Sequence, residues 1–128
     1  MQKRKASADK LITLILEGIE DVKGQDIILL DLKEIENTVC DYFIICNGTS
    51  NTQVNAIVGS IQKTVSKAIQ DKPWHVEGRE NAEWVLMDYV NVVVHVFQKH
   101  VREFYDIEGL WGDAKFTEIG SGMNSALK

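Results

Sequence analysis

The sequence predicts a domain in the α/β to α+β range: a mixed β-sheet with helices packed on it, in the order helix, strand, strand, helix, strand, strand, helix. Three observations predict it. The stretch Trp84–Phe97 is almost entirely β-branched, aromatic or aliphatic, and such side chains suit a pleated surface and lose freedom in a helix. Two segments, starting near Leu11 and Val54, repeat apolar residues at helical spacing. Short apolar runs near residues 26–32 and 41–46 have the length of strands. Helices alternating with paired strands argue against a strictly parallel, doubly wound sheet.

In chain order, residues 1–6 are basic and polar (Lys3, Arg4, Lys5) and are expected to fray. Ser7 can cap a helix that places Leu11, Ile12, Ile15, Leu16, Ile19 and Val22 on one side. Lys23 suits the negative end of that helix, and Gly24 is the expected left-handed residue that stops it. Asp26–Leu32, with Ile27 to Leu30 unbroken, reads as a short strand buried on both faces. Glu34–Thr38 is a polar connection, and a second strand runs from about Asp41 to Cys46. Asn47-Gly48-Thr49-Ser50 then turns into a helix with a capping box, Ser50 as N-cap and Gln53 three residues on. Val54, Ile57, Val58, Ile61, Val65, Ala68 and Ile69 form its stripe, and Lys72-Pro73 ends it. Residues 74–83 are a loop or irregular strand. Strands follow at Trp84–Asp88 and Val92–Phe97, joined by a polar turn as a hairpin. Both rows of the second are largely apolar, which places it in the middle of the sheet. A last helix covers about Lys99–Glu108. Apolar density falls beyond Trp111, so residues 1–114 read as one domain and 115–128 as a flexible tail.

With 128 residues the chain is long enough for one sizeable core, and 45% hydrophobic with 26% charged residues is ordinary for a globular protein. Its net charge of −5 disfavours bare nucleic acid as the main partner, because that affinity comes from Lys and Arg neutralising phosphates. A basic protein surface fits better, with nucleic-acid contact peripheral. No apolar run approaches the roughly 20 residues that span a bilayer, and no signal-peptide pattern opens the chain, so no membrane role is expected. The two cysteines, Cys40 and Cys46, are expected to stay reduced in a cytoplasmic compartment.

The candidate chemistry is sparse. His75, His95 and His100 lack metal-site spacing, and His95 reads as a packed histidine bonded to a neighbour. Cys40 and Cys46 are not a C-x-x-C pair. Asp41 and Asp88 could meet across the sheet, yet each reads better as a strand-end or turn residue. Gly48-Thr49-Ser50 entering a helix can hold phosphate. A nucleotidyltransferase site, however, needs paired carboxylates on a following strand, and here Asp88 stands alone. Helix capping is the simpler reading of that turn, and nucleotide binding there is the alternative function. No cofactor or metal is expected.

The surplus is aromatic. Trp84, Tyr89, Phe97, Phe104, Tyr105 and Trp111 crowd the last third, flanked by Lys99, Arg102, Asp106 and Glu108. Some of these rings must be core. A small domain rarely hides them all, and Trp, Tyr and Arg are the usual anchors of interfaces. A protein-binding face on the hairpin and last helix follows.

Several segments together resemble a known family: Asp41-Tyr42-Phe43-Ile44-Ile45-Cys46 before Gly48-Thr49-Ser50, then Val76-Glu77-Gly78, Glu83 to Tyr89, Val94-His95-Val96-Phe97, Arg102-Glu103-Phe104-Tyr105 and Leu110 to Ala114. From about Ser7 to Ala114 they are similar, in order, to the ribosomal silencing factors, the Iojap-related family. The closing Arg-x-x-Tyr-x-x-Glu-x-Leu-Trp pattern is the most specific. The resemblance implies a fold related to the nucleotidyltransferases but without their catalytic carboxylates, and no enzymatic activity. It implies binding to the large ribosomal subunit through ribosomal protein L-fourteen, so that the small subunit cannot join and translation falls when nutrients are short. It also implies a homodimer when the ribosomal partner is absent. Carried over by position, Trp84, Tyr89 and Tyr105 would contact the partner, with Asp88 and Arg102 added as their neighbours. Position 89 is aliphatic in some members, so Tyr89 departs from them.

Overall fold

The structure, a computed structural model, describes residues 8–120; residues 1–6, the expected N-cap Ser7 and residues 121–128 of the expected tail lie outside the described residues. Ten elements follow in order: α1 (Ala8–Asp21), β1 (Gln25–Asp31), β2 (Tyr42–Gly48), α2 (Asn51–Ile69), β3 (His75–Glu77), β4 (Trp84–Asp88), β5 (Val92–Gln98), α3 (Lys99–Tyr105), the single turn α4 (Ile107–Leu110) and β6 (Lys115–Gly120). The six strands form one sheet in the order β3-β4-β5-β2-β1-β6. β2 and β5 run parallel at its centre, and every other neighbouring pair is antiparallel. The sheet is therefore mixed, as the sequence predicts, and β5 is buried on both faces along Val92–Phe97.

Helices α1 and α2 cover one face. Ile15, Ile19, Val54, Ile57, Val58, Ile61 and Val65 have no exposed surface, and with Val85, Met87, Val92, Val94 and Val96 they form the larger core. Each fully buried side chain of this kind contributes about 2 kcal/mol, which is why the two apolar stripes decide where these helices lie. Ser50 caps α2 through the Gln53 N–H at 3.1 Å, and Gln70 ends it in the left-handed conformation. Gly18 lets the two helices touch. A Cβ there would lie 2.8 Å from the Ile61 backbone, and its carbonyl accepts the Ser60 hydroxyl at 2.7 Å. The second face carries a smaller core of Leu30, Leu32, Phe43, Ile45, Val93, Phe97, Val101 and Ile107, closed by α3 and α4.

Three expectations need correction. The left-handed residue after α1 is Lys23, with φ 62°, and not Gly24. Gly24 is needed for space instead, since a Cβ would sit 2.4 Å from the Ile19 side chain. Segment 74–83, read as a loop or irregular strand, holds the three-residue edge strand β3, in line with that reading. The single last helix is two, broken at Asp106, which takes φ 46° and donates its N–H to Arg102 O at 2.8 Å. The residues after Ala114, expected as tail, begin with β6, which pairs with β1 from Asp31↔Lys115 to Ile27↔Gly120. Backbone pairing holds β6 at this edge: Lys115 to Glu118 are exposed, Phe116 at 44%, and Ile119 packs against the larger core.

Candidate partner-binding face

Alternation along β4 sends Trp84, Leu86 and Asp88 to the face away from α1 and α2. Trp84 lies directly opposite Phe97 on β5, and their rings stack at 4.9 Å and 28°. α3 leaves the end of β5 so that Tyr105 comes back over Trp84, 5.0 Å between ring centroids, with Phe104 edge-on to Tyr105 at 5.0 Å. Trp84 is half-buried, whereas Tyr105 is 51% and Phe104 79% exposed. The exposed Leu110 follows on α4, and the exposed acidic Glu103 and Asp106 flank Phe104 and Tyr105 in the chain. An aromatic cluster anchored on a rigid sheet and open to solvent fits the anchor of a protein interface.

Beneath the cluster lies His95. The Trp84 indole N–H donates to His95 Nδ1 at 3.1 Å, and Phe43 meets the imidazole edge-on at 4.6 Å. An indole nitrogen only donates, so Nδ1 accepts and the neutral ring carries its proton on Nε2. Burial lowers the His95 pKa to about 4. The packed histidine expected from the sequence is thus bonded to the key tryptophan.

The five residues chosen from the sequence do not form one patch. Trp84 and Tyr105 pack against each other with their rings tilted at 46°. Asp88 shares their side of the sheet but sits four residues along β4, about 13 Å by strand rise. There its carboxylate accepts the Val90 N–H at 2.8 Å and shapes the hairpin turn, the role the sequence suggested for it. Tyr89 is buried in the larger core, on the opposite side of the sheet, because one step along the chain reverses the side-chain direction. Its hydroxyl has no hydrogen-bond partner among the described residues, and burial pushes its pKa up. Arg102 is also buried, at 7% exposure. Its guanidinium donates to Asn47 Oδ1 at 2.6 Å, to the Asp26 carbonyl at 2.8 Å and to Glu108 at 3.0 Å. As placed, Tyr89 and Arg102 are parts of the interior, and neither faces outward to meet a partner. Phe104, which the interface reading did not choose, is the most exposed ring of the cluster.

At the Gly48-Thr49-Ser50 turn both Thr49 donors are engaged from within. Gln53 Oε1 accepts the Thr49 N–H at 2.7 Å and the Thr49 hydroxyl at 3.0 Å. The same amide donates to the Val22 and Lys23 carbonyls at 3.3 and 3.1 Å, tying the end of α1 to the start of α2. Thr49 therefore has no free donor for a phosphate, and no group of three metal-ligating side chains occurs among the described residues. No helix among them is long and apolar enough to cross a membrane.

Comparison with known proteins adds the family. The chain is 41% identical over 115 residues to the ribosomal silencing factor RsfS of Bacillus subtilis, covering 89% of this chain and 95% of that one. A crystal structure of a Chromobacterium violaceum protein is similar at a TM-score of 0.76 and 40% identity, covering 90% of this chain and 95% of that one. A more distant relative is the mouse protein named mitochondrial assembly of ribosomal large subunit protein 1, 28% identical over 102 residues, 78% of this chain and 44% of that one. The family model described as "Ribosomal silencing factor during starvation" matches residues 5–126, nearly the whole sequence, and the chain belongs to that family.

Proposed function

We propose that the protein binds the large ribosomal subunit through ribosomal protein L-fourteen, with the Trp84–Tyr105 face as the contact, and blocks joining of the small subunit by bulk. The observation that carries this reading is the exposed ring cluster, Phe104 edge-on to Tyr105 and Tyr105 tilted against a half-buried Trp84. Family membership supports a silencing role, and the mouse relative's name supports the large subunit as the partner. A net charge of −5 favours approach to a basic ribosomal protein among RNA, while the rings supply short-range affinity. The reading is non-enzymatic, which the self-bonded Gly48-Thr49-Ser50 turn supports, and it places the protein in the cytoplasm, lowering translation when nutrients are short. Without the ribosome, the same face pairs two copies as a homodimer.

The experiment is sucrose-gradient sedimentation of purified large and small subunits with and without the protein. The expected result is comigration with the large subunit and a smaller joined-ribosome peak. A protein that stays at the top while the joined peak is unchanged overturns the reading. Sedimentation equilibrium of the free protein tests the dimer, and a monomer at high micromolar concentration would count against it.

A further inference from the structure

We propose that His95 is a positioning residue for docking: it accepts the Trp84 indole N–H at 3.1 Å and so selects which edge of the indole turns inward and which meets the partner. The inference rests on the Trp84–Tyr105 face being the docking surface. Stacking on Phe97, with Tyr105 tilted against the other side, fixes the plane of the indole, but a ring can turn over in such a slot, because its terminal torsion is roughly two-fold. A single buried acceptor removes that ambiguity.

Packing alone does not explain a histidine here. His95 is 5% exposed, its row is otherwise apolar Val93 and Phe97, and its Nε2 has no hydrogen-bond partner among the described residues. An unsatisfied buried N–H is a cost that a phenylalanine or leucine would not carry. The atom that repays it is Nδ1, and its bond goes to the half-exposed tryptophan at the centre of the aromatic cluster. Register supports this, since Trp84 pairs with Phe97 and His95 is its diagonal neighbour two residues back on the same side.

The test compares His95→Asn, which keeps an acceptor on the atom bonded to Cγ, with His95→Gln, which moves it one bond further out, and with His95→Phe, which fills the space without one. Trp84 Nε1–H is followed by ¹⁵N NMR, assigned by Trp84→Phe, and affinity for purified large subunits by cosedimentation. The expected result is a wild-type-like indole signal and binding in His95→Asn. His95→Gln and His95→Phe should show a shifted indole signal and affinity lower by roughly fivefold, the factor one neutral hydrogen bond is worth. If His95→Phe fails to fold, the Asn and Gln pair alone decides, because both are amides and the one methylene between them moves the acceptor. Equal behaviour of Asn and Gln, or a folded Phe variant with wild-type affinity, overturns the inference while wild-type binding keeps the docking reading intact. Wild-type protein that does not bind large subunits overturns both.

Discussion

Arg102 Nε and Nη2 lie 3.0 and 2.8 Å from the same Glu108 oxygen, across the left-handed break between α3 and α4. Nη1 of the same guanidinium bonds Asn47 and the Asp26 carbonyl, so one side chain joins β2, the start of β1 and both last helices. Breaking a buried pair leaves its partner uncompensated, at about 3–5 kcal/mol. Arg102→Ala is expected to lose that much stability in urea unfolding. Arg102→Lys should recover little, because an ammonium cannot match a planar fork. A stable Arg102→Ala that fails only in ribosome binding would return Arg102 to the interface.

Tyr89 gives the complementary case. Tyr89→Phe removes a buried hydroxyl that has no partner among the described residues, so stability should stay within about 0.5 kcal/mol of wild type or rise. Binding to large subunits should be unchanged. Tyr89→Ala should cost about 3–5 kcal/mol through the cavity it leaves. Loss of cosedimentation in a fully folded Tyr89→Phe would contradict the interior role.

Tyr105→Ala and Phe104→Ala remove exposed rings, and their thermal unfolding should differ little from wild type. An interface anchor costs about 2 kcal/mol or more when truncated, roughly a 30-fold loss of affinity. Tyr105→Ala should reach that range in cosedimentation. Trp84→Ala should lose binding as well, but with a measurable drop in melting temperature, because Trp84 also packs on Phe97. Circular dichroism separates the two effects, and wild-type binding by a folded Tyr105→Ala would remove this face from consideration.

The His95 imidazole sets a pH dependence. Its pKa falls from an ordinary 6.5 to about 4 in the folded chain because burial disfavours the charged ring. The unfolded chain therefore binds the proton more readily, and this contribution to stability is fully present above about pH 6.5 and lost as pH falls towards 4. The loss amounts to at most roughly 3 kcal/mol. Urea midpoints measured from pH 7 to pH 4 should fall, and less steeply in His95→Asn. Identical slopes for the two proteins would show that other groups carry the acid response.

Much of this architecture was legible because it is local. Ser50 and Gln53 mark the start of α2 within four residues, and the β4–β5 hairpin is written in adjacent β-branched runs with a polar turn. What escaped is long-range. Arg102 and Tyr89 look like anchors by residue type. Arg102 is buried by Asn47 and Asp26, far away in sequence, and Tyr89 by a one-residue change of side-chain direction at the end of β4. The helix break at Asp106 was hidden because aspartate, and not glycine, takes the left-handed conformation there. β6 was missed because backbone pairing with β1 holds it while Lys115 to Glu118 stay exposed, so its side chains carry little apolar signal.

The pairing of β6 with β1 has a bearing on how the protein is made. Among the described residues β1 is the first strand synthesised and β6 the last, yet they are neighbours in the sheet. Until β6 has been made and has left the ribosome, β1 has β2 on one side and an open backbone edge on the other, beside Ile28 and Leu30. Such an edge can recruit another strand, so the growing chain is exposed to mispairing until β6 docks. A chain cut short at Ala114 would carry that open edge permanently.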